Sequence, residues 1–417
     1  MLKKIITYLP ADKKNVILYG AGRRASEVYF QIKDNNNVLC FVDKNENKQG
    51  TVMKMTDGKE YPVYSLADAW QKYGKSYMCI TPDVPAKYEI IVELEKYGIN
   101  KDFILNYEPY SYGMNCFYME DILVIKSGRV MSCCEGGVEN PLYRQYDNKI
   151  SDEDFLQLVK DFKNDIRKDS PEYCKQCYYY KEAYYSRNLK PIKYIFFPSA
   201  SLCQFNCIYC RRTEMITQTD IERALRFINY LKGTGFIDEN TIFEIASYEI
   251  TVNPLQNQVY NAVRNHRCHF LTNAEYFSEE IAGFLKAGRS KVNISVDSGT
   301  AKTFAKVKGR DCFAKVAENI RKYGECGNVE LKYIILPGLN DNSEDAEGFV
   351  NLASEVKANV QISYDIYDIA KIDLNIESCV NTIKKIVAGA KSRGLKVQNN
   401  TMRETSDHWQ RIADLFA

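Results

Sequence analysis

Cys203, Cys207 and Cys210 stand in the run Cys203-Gln204-Phe205-Asn206-Cys207-Ile208-Tyr209-Cys210. Three thiolates at this spacing can ligate three irons of a [4Fe-4S] cluster. The fourth iron is then open to a substrate or cofactor, which points to catalysis more than to electron storage. A zinc knuckle is the competing reading. Zinc in a structural site takes four ligands, and no fourth Cys or His lies close by in the sequence. A second cysteine set comes earlier: Cys116, the adjacent Cys133 and Cys134, and Cys174 and Cys177 in a C-x2-C. A lone Cys, a hairpin Cys and the C-x2-C supply enough thiolates for a complete cluster. The spacing also permits a structural Zn(Cys)4 site, but the cluster-bearing segment that follows favours iron–sulfur.

A third constellation lies near the start. Val16-Ile17-Leu18-Tyr19 reads as a buried strand, Gly20-Ala21-Gly22-Arg23-Arg24-Ala25 opens a helix through Ile32, and Val38–Val42 reads as a second strand ending at Asp43. In such a βαβ turn Gly20 and Gly22 let the backbone approach a phosphate at the helix N-terminus, and Asp43 can hold a ribose hydroxyl. The plain alternative is that the glycines only permit a tight turn.

The elements that must carry these groups follow from periodicity. Strands are expected at Tyr77–Thr81 and, after a Pro85–Tyr97 helix, in a hairpin running from Asp121 to Cys134 about the Ser127-Gly128-Arg129 turn. An amphipathic helix follows at Asp152–Ile166. From about residue 191 strands alternate with helices: Lys193–Pro198, Thr241–Ala246, His269–Thr272, Val292–Val296, Glu330–Leu336 and Val360–Tyr364. That alternation predicts a parallel sheet with crossover helices and functional groups at the strand C-termini. One helix is expected to start at Thr219 with Glu222 three residues on, another at Ser278 with a stop at Gly288.

The C-x3-C-x2-C motif with Tyr209 before its last Cys, followed by six strand–helix units, resembles the radical S-adenosylmethionine (SAM) enzymes. The resemblance implies an α/β fold: a partial (β/α)6 barrel over 191–417, bound to a [4Fe-4S] cluster and SAM. It implies that Glu249 contacts the SAM amine, although Ser247 and Tyr248 replace the family's two glycines. Ser295 and Asp297, placed on one strand face, would bond the ribose or the substrate, Tyr209 would present its backbone to the adenine, and Ile334 would pack on the ring. The second cysteine set resembles a SPASM-type auxiliary domain, here 109–190 and placed before the barrel, with Cys116, Cys133, Cys174 and Cys177 as ligands of a second [4Fe-4S] cluster. Residues 1–108 resemble the Rossmann-like domains of surface-glycan enzymes, which can bind a nucleotide-sugar.

The resemblance therefore implies hydrogen abstraction from a small polar substrate, with a nucleotide-linked sugar favoured and epimerisation or dehydrogenation as the outcome. A flavodoxin- or ferredoxin-like electron donor is implied as partner. Cys268 and Cys312 are candidate hydrogen donors to a substrate radical. Peptide or protein modification is the alternative within catalysis; a redox-sensing iron–sulfur or zinc protein is the alternative outside it.

Composition narrows the rest. Among 417 residues, 45% are apolar and the net charge is +2, which gives no electrostatic case for nucleic acid or an anionic membrane. No apolar run approaches the ~20 residues of a spanning helix, and the start reads as mature sequence without a cleavable signal. A cytoplasmic location is expected, so the 14 cysteines are better explained by metal binding than by disulfides.

Overall fold

The computed structural model describes residues 13–82, 86–105, 107–116, 122–126, 129–131, 144–145, 151–154, 156–157, 160, 174, 180–186, 191–198, 202–210, 217–246, 249–365, 374–400, 412 and 414–416. The chain forms two compact units, Met1–Phe117 with Lys163–Lys190, and Tyr118–Phe162 with Pro191–Ala417.

In the first unit, the strands β1 (Asn15–Tyr19), β2 (Asn37–Val42), β3 (Val52–Lys54), β4 (Glu60–Tyr64), β5 (Tyr77–Ile80) and β6 (Ile104–Leu105) form one sheet in the order β3-β4-β2-β1-β5-β6. Only β3 runs antiparallel to its neighbour. The helices are α1 (Arg23–Ile32), α2 (Leu66–Tyr73) and α3 (Ala86–Lys96). The apolar run of β1 is explained by burial on both faces. Val16 and Leu18 pack with Val28 and Ile32 of α1, whereas Ile17 and Tyr19 pack with Leu66 of α2 and Ile91 of α3. A separate ribbon pairs β7 (Tyr110–Cys116) antiparallel with β11 (Tyr180–Ser186), Cys116 standing opposite Tyr180.

The second unit is built on a ten-stranded sheet. Its strands are β8 (Ile122–Lys126), β9 (Arg129–Met131), β10 (Arg144–Gln145), β12 (Tyr194–Pro198), β13 (Ile242–Ala246), β14 (Arg267–Thr272), β15 (Lys291–Ser295), β16 (Asn328–Ile335), β17 (Asn359–Tyr364) and β18 (Val397–Asn399). From β12 to β18 every neighbour is next in sequence and parallel. The crossover helices are α4 (Gln218–Thr234), α5 (Gln256–Val263), α6 (Glu279–Lys286), α7 (Ala301–Lys308), α8 (Phe313–Cys326), α9 (Ser343–Glu355) and α10 (Ile376–Ser392). This is the parallel sheet with crossover helices expected from the strand–helix alternation, and its strand order fits the partial barrel that the resemblance implies.

The core lies between sheet and helices. Phe243, Ile245, Phe270, Val292, Ile294, Leu331 and Ile362 pack there with Ile228, Val259, Ile320 and Phe349 of the helices. Residues alternate between faces along a strand. The intervening Glu244, His269, Asn293, Glu330, Lys332 and Gln361 therefore line the opposite, inner face of the barrel.

Two expectations change. The 109–190 segment is divided: β7 and β11 pair in the first unit, while the β8–β9 hairpin joins the barrel sheet, where β8 pairs parallel with β12. Helix α4 is capped by Thr217, not Thr219. Its hydroxyl accepts from the Asp220 N–H and the Asp220 carboxylate accepts from the Thr217 N–H, so the nearer acid closes the capping box. The α6 start at Ser278 holds, with Ser278 as N-cap and Gly288 left-handed behind it at φ +77°. Cys133, Cys134, Cys177, Ser247, Tyr248 and the hairpin turn at Ser127 and Gly128 lie outside the described residues. No helix among the described residues is long and apolar enough to cross a membrane.

Candidate active site

The cysteine loop is docked by backbone bonds rather than by chance proximity. Asn206 N–H donates to Lys308 O at 3.1 Å and Ile208 N–H to Val307 O at 3.0 Å, so the loop completes the C-terminus of α7. Gly309 makes the approach possible. It sits at φ +69°, and a Cβ there would lie 2.9 Å from Asn206 O. Phe205 is the loop's anchor, 2% exposed and edge-on to Phe304. Cys203 and Cys207 pack partly against the core, whereas Cys210 is exposed.

A buried ionic network holds the same loop from the other side. Tyr209 OH donates to Asp297 Oδ2 at 2.6 Å, the Lys308 ammonium donates to Tyr209 Oη at 2.8 Å, and Lys308 also pairs with Asp297 Oδ2. Asp297 Oδ1 accepts the Ile334 N–H at 2.8 Å. Asp297 and Lys308 side chains are 0% and 2% exposed. Burial, then the Asp297 charge, pushes the Tyr209 hydroxyl far above its ordinary range, so it stays a neutral donor. Asn340 closes the ring, donating to Asp297 O at 2.8 Å and Ile334 O at 2.7 Å.

Here the expectation that Ser295 and Asp297 share a strand face fails. Strand β15 ends at Ser295, and Asp297 sits beyond it at φ +58°, a left-handed conformation that Asp tolerates. The period of two stops with the strand, and Asp297 turns to Tyr209 and Lys308. Ser295 stays on the inner face opposite Lys332. Lys332 was not singled out from the sequence. Burial lowers its ammonium's affinity for the proton, and among the described residues no acceptor lies within hydrogen-bonding distance of it. Ile334 belongs to a small apolar cluster with Val307, Leu336, Tyr209 and Leu339.

Glu249 is wholly buried three residues beyond β13, as the cap of a 3-10 turn at Ile250–Val252. Its Oε1 accepts from Thr251 OH and Thr272 OH, both at 2.8 Å, and its Oε2 accepts from Asn273 N–H at 2.6 Å. Burial raises its carboxyl above the ordinary range despite these donors. Asn273 was also missed in sequence. Its amide accepts from Gln204 Nε2 at 3.1 Å and reaches Cys203 Sγ at 3.7 Å, tying the cysteine loop to β14.

The two candidate thiols separate. Cys268 is 0% exposed within the helix-facing core, its Sγ 3.7 Å from Val263 O. Burial pushes its thiol up, and it faces away from the inner face, which removes it as a hydrogen donor. Cys312 caps α8 and is half-buried near Arg310, which binds Glu275 at 2.7 Å.

In the first unit, Gly20 is sterically required, at φ +110° with Thr81 Oγ1 2.4 Å from a notional Cβ. Nothing lies within 4 Å of one at Gly22. Asp43 does not stand open for a ribose. Its Oδ2 accepts from Ala21 N–H at 2.8 Å and from Lys48 at 3.0 Å. Burial raises the Asp43 carboxyl, but the Asn45 and Ala21 N–H donors and Lys48 outweigh it and hold it low.

Residues 198–353 match the family model of the Radical SAM superfamily. The barrel is a radical SAM domain. The chain is 26% identical over 225 residues to a GTP 3',8-cyclase of Petrotoga mobilis, 51% of this chain and 68% of that protein. It is 22% identical over 180 residues to the GTP 3',8-cyclase of Clostridium botulinum, covering 41% and 56%. The match thus spans about half to two thirds of these relatives. Among solved structures, Streptococcus suis SuiB bound to S-adenosylmethionine aligns over 65% of this chain and 59% of its own, with 13% identity and a TM-score of 0.41. Native anSMEcpe with bound AdoMet aligns over 50% and 63%, with 15% identity and a TM-score of 0.38.

A radical SAM domain implies SAM and a [4Fe-4S] cluster, and the cysteine loop supplies the thiols that the cluster needs. Cys203, Cys207 and Cys210 are thiols outside any disulfide among the described cysteines. No three His, Cys, Asp or Glu among the described residues converge on a single-ion site; a cluster instead takes one thiolate per iron.

Proposed function

We propose that the chain is a radical SAM enzyme that removes a hydrogen atom from a small polar substrate held on the barrel's inner face. The observation that carries this reading is the cysteine loop locked over the strand ends by Tyr209, Asp297, Lys308 and Asn273, above an inner face of Glu244, His269, Asn293, Glu330, Lys332 and Gln361. When bound, the cluster and SAM supply a 5'-deoxyadenosyl radical that abstracts an unactivated hydrogen. Cys203, Cys207 and Cys210 would hold the cluster, and Glu249 would face the SAM ammonium. Lys332 beside Ser295 is suited to a carboxylate. Tyr209 and Ile334 would border the adenine.

For the substrate we favour a nucleotide-linked sugar. Two observations support the class: the Rossmann-like β1–α1–β2 unit, and relatives whose name specifies a reaction on GTP. In the first unit a nucleotide would have to displace Asp43 from the Ala21 N–H. Epimerisation or dehydrogenation are the outcomes proposed, with Cys312 the remaining thiol candidate. Cys116 and Cys174, both buried thiols, together with Cys133 and Cys177 would ligate an auxiliary cluster. A flavodoxin- or ferredoxin-like donor and a cytoplasmic setting complete the proposal.

The test is anaerobic reconstitution followed by SAM and dithionite. 5'-Deoxyadenosine should form, and protein with filled clusters that forms none refutes the reading. Deuterium from heavy water in a turned-over nucleotide-sugar would favour epimerisation.

A further inference from the structure

On the inner face, Glu244 and His269 are register partners on β13 and β14. Glu244 Oε1 lies 2.6 Å from His269 Nδ1. A carboxylate only accepts, so Nδ1 carries a proton, and in the neutral imidazole Nε2 then presents a lone pair. That Nε2 is buried with no partner among the described residues, and His269 is 8% exposed. One strand further, Asn293 Nδ2 donates to Glu330 Oε1 at 2.5 Å and to Gln361 Oε1 at 2.9 Å. Two acceptors on one nitrogen fix the amide's orientation. Its Oδ1 is likewise buried without a partner, in a residue 6% exposed.

Two oriented acceptors on adjacent strands are thus held without donors. An unmet buried acceptor is destabilising, and a ligand with two donors relieves both. The formal charges of this face balance: Glu244 and Glu330 bring two carboxylates, Lys291 and Lys332 two ammonium groups, and Lys291 pairs with Glu330 at 3.5 Å. A balanced site favours neutral hydroxyls over an ammonium. His269 lies four residues before Asn273, which touches the cysteine loop, so it sits roughly 13 Å of strand below that loop, whereas Asn293, in register with Leu271, sits about half as far below.

We propose that His269 and Asn293 form a hydroxyl-recognition site on the inner face of the barrel that takes a vicinal diol of the substrate. This rests on the reading of that face as the substrate chamber and names the group it would grip. Glu244 acts as the positioning residue that sets the imidazole's orientation.

The imidazole nitrogen spectrum tests this directly, because the chain has only three histidines. His269→Gln assigns the His269 signals in reconstituted protein saturated with SAM. D-Ribose should shift the His269 Nε2 signal saturably, and 2-deoxy-D-ribose should bind about tenfold more weakly for the lost donor. Asn293→Ala should weaken ribose by a similar factor while leaving the free His269 signals in place. A His269 found protonated at Nε2, as the other tautomer or as imidazolium, would overturn the site. So would a response to methylammonium but to neither sugar, or to SAM with nothing added by ribose. Silence toward every probe in protein that cleaves SAM removes the diol site and leaves the radical reading standing. A ribose response in protein that makes no 5'-deoxyadenosine supports the site and removes the radical reading instead.

Discussion

The pair Asp297 and Lys308 offers the sharpest test of how the cysteine loop is held. Lys308→Met keeps the chain length and removes the ammonium, leaving a buried carboxylate with Tyr209 OH and Ile334 N–H as its donors among the described residues. Breaking a buried pair by removing one partner costs about 3–5 kcal/mol. Asp297→Asn, chosen because Asn also tolerates the left-handed φ of +58°, strands the ammonium instead at a similar cost. The double variant has no buried charge to strand, so the two costs should not add; a coupling of about 2 kcal/mol or more is expected. Hydrogen exchange reads this locally, on peptides covering Ile334 and the loop from Cys203 to Cys210. At tenfold per 1.4 kcal/mol, each single variant should exchange about a hundredfold faster or more, and should lose iron on gel filtration. The double variant should recover most of that protection. Single variants within tenfold of wild type, or costs that simply add, would show that the network does not hold the loop.

Three further outcomes follow from the same structure. Gly20→Ala should cost about 1–3 kcal/mol through its positive φ and the Thr81 contact, whereas Gly22→Ala should be near neutral; chemical unfolding followed at Trp70 compares them, and equal effects would contradict the geometry. Because burial raises the Glu249 carboxyl, the folded chain binds more protons than the unfolded one between the ordinary carboxylate value and the raised one, so stability falls as pH rises through that window. Glu249→Gln should flatten that fall in unfolding curves taken at stepped pH, and an unchanged slope would refute the assignment. Lys332→Met should weaken SAM binding about tenfold or more by equilibrium dialysis if its ammonium meets the methionine carboxylate, and unaltered affinity would leave Lys332 to the substrate.

What the sequence disclosed and what it hid divide along one physical line. Strands β12 to β17 were legible because each contributes an apolar face to the core, and the pattern that marks them is local. The cysteine motif was legible for the same reason, since its spacing lies within eight residues. Asp297 was misread because a left-handed residue ends the strand period on which its placement depended. Cys268 and His269 show how narrow the margin is: one residue of register separates a core thiol from an inner-face imidazole. Asp43 was read as a ribose ligand because spacing cannot show that the Ala21 N–H already claims it.

The remaining site residues are invisible in any single strand because their meaning arises across the sheet. Glu244 acquires a role only when β14 sets His269 beside it, and Asn293 only when β16 and β17 bring Glu330 and Gln361 to its nitrogen. Each of these side chains, taken alone, is a polar residue alternating with core residues, as on any half-exposed strand. What distinguishes them is that register turns their polar atoms into oriented pairs and leaves one acceptor of each pair without a donor. A face built for solvent would not hold such acceptors buried, because water could not reach them to offset the cost. On the proposed reading, a substrate's hydroxyls would meet these acceptors. The cysteine loop, tied through Asn273 to the end of β14, stands at the top of the same strand that carries His269.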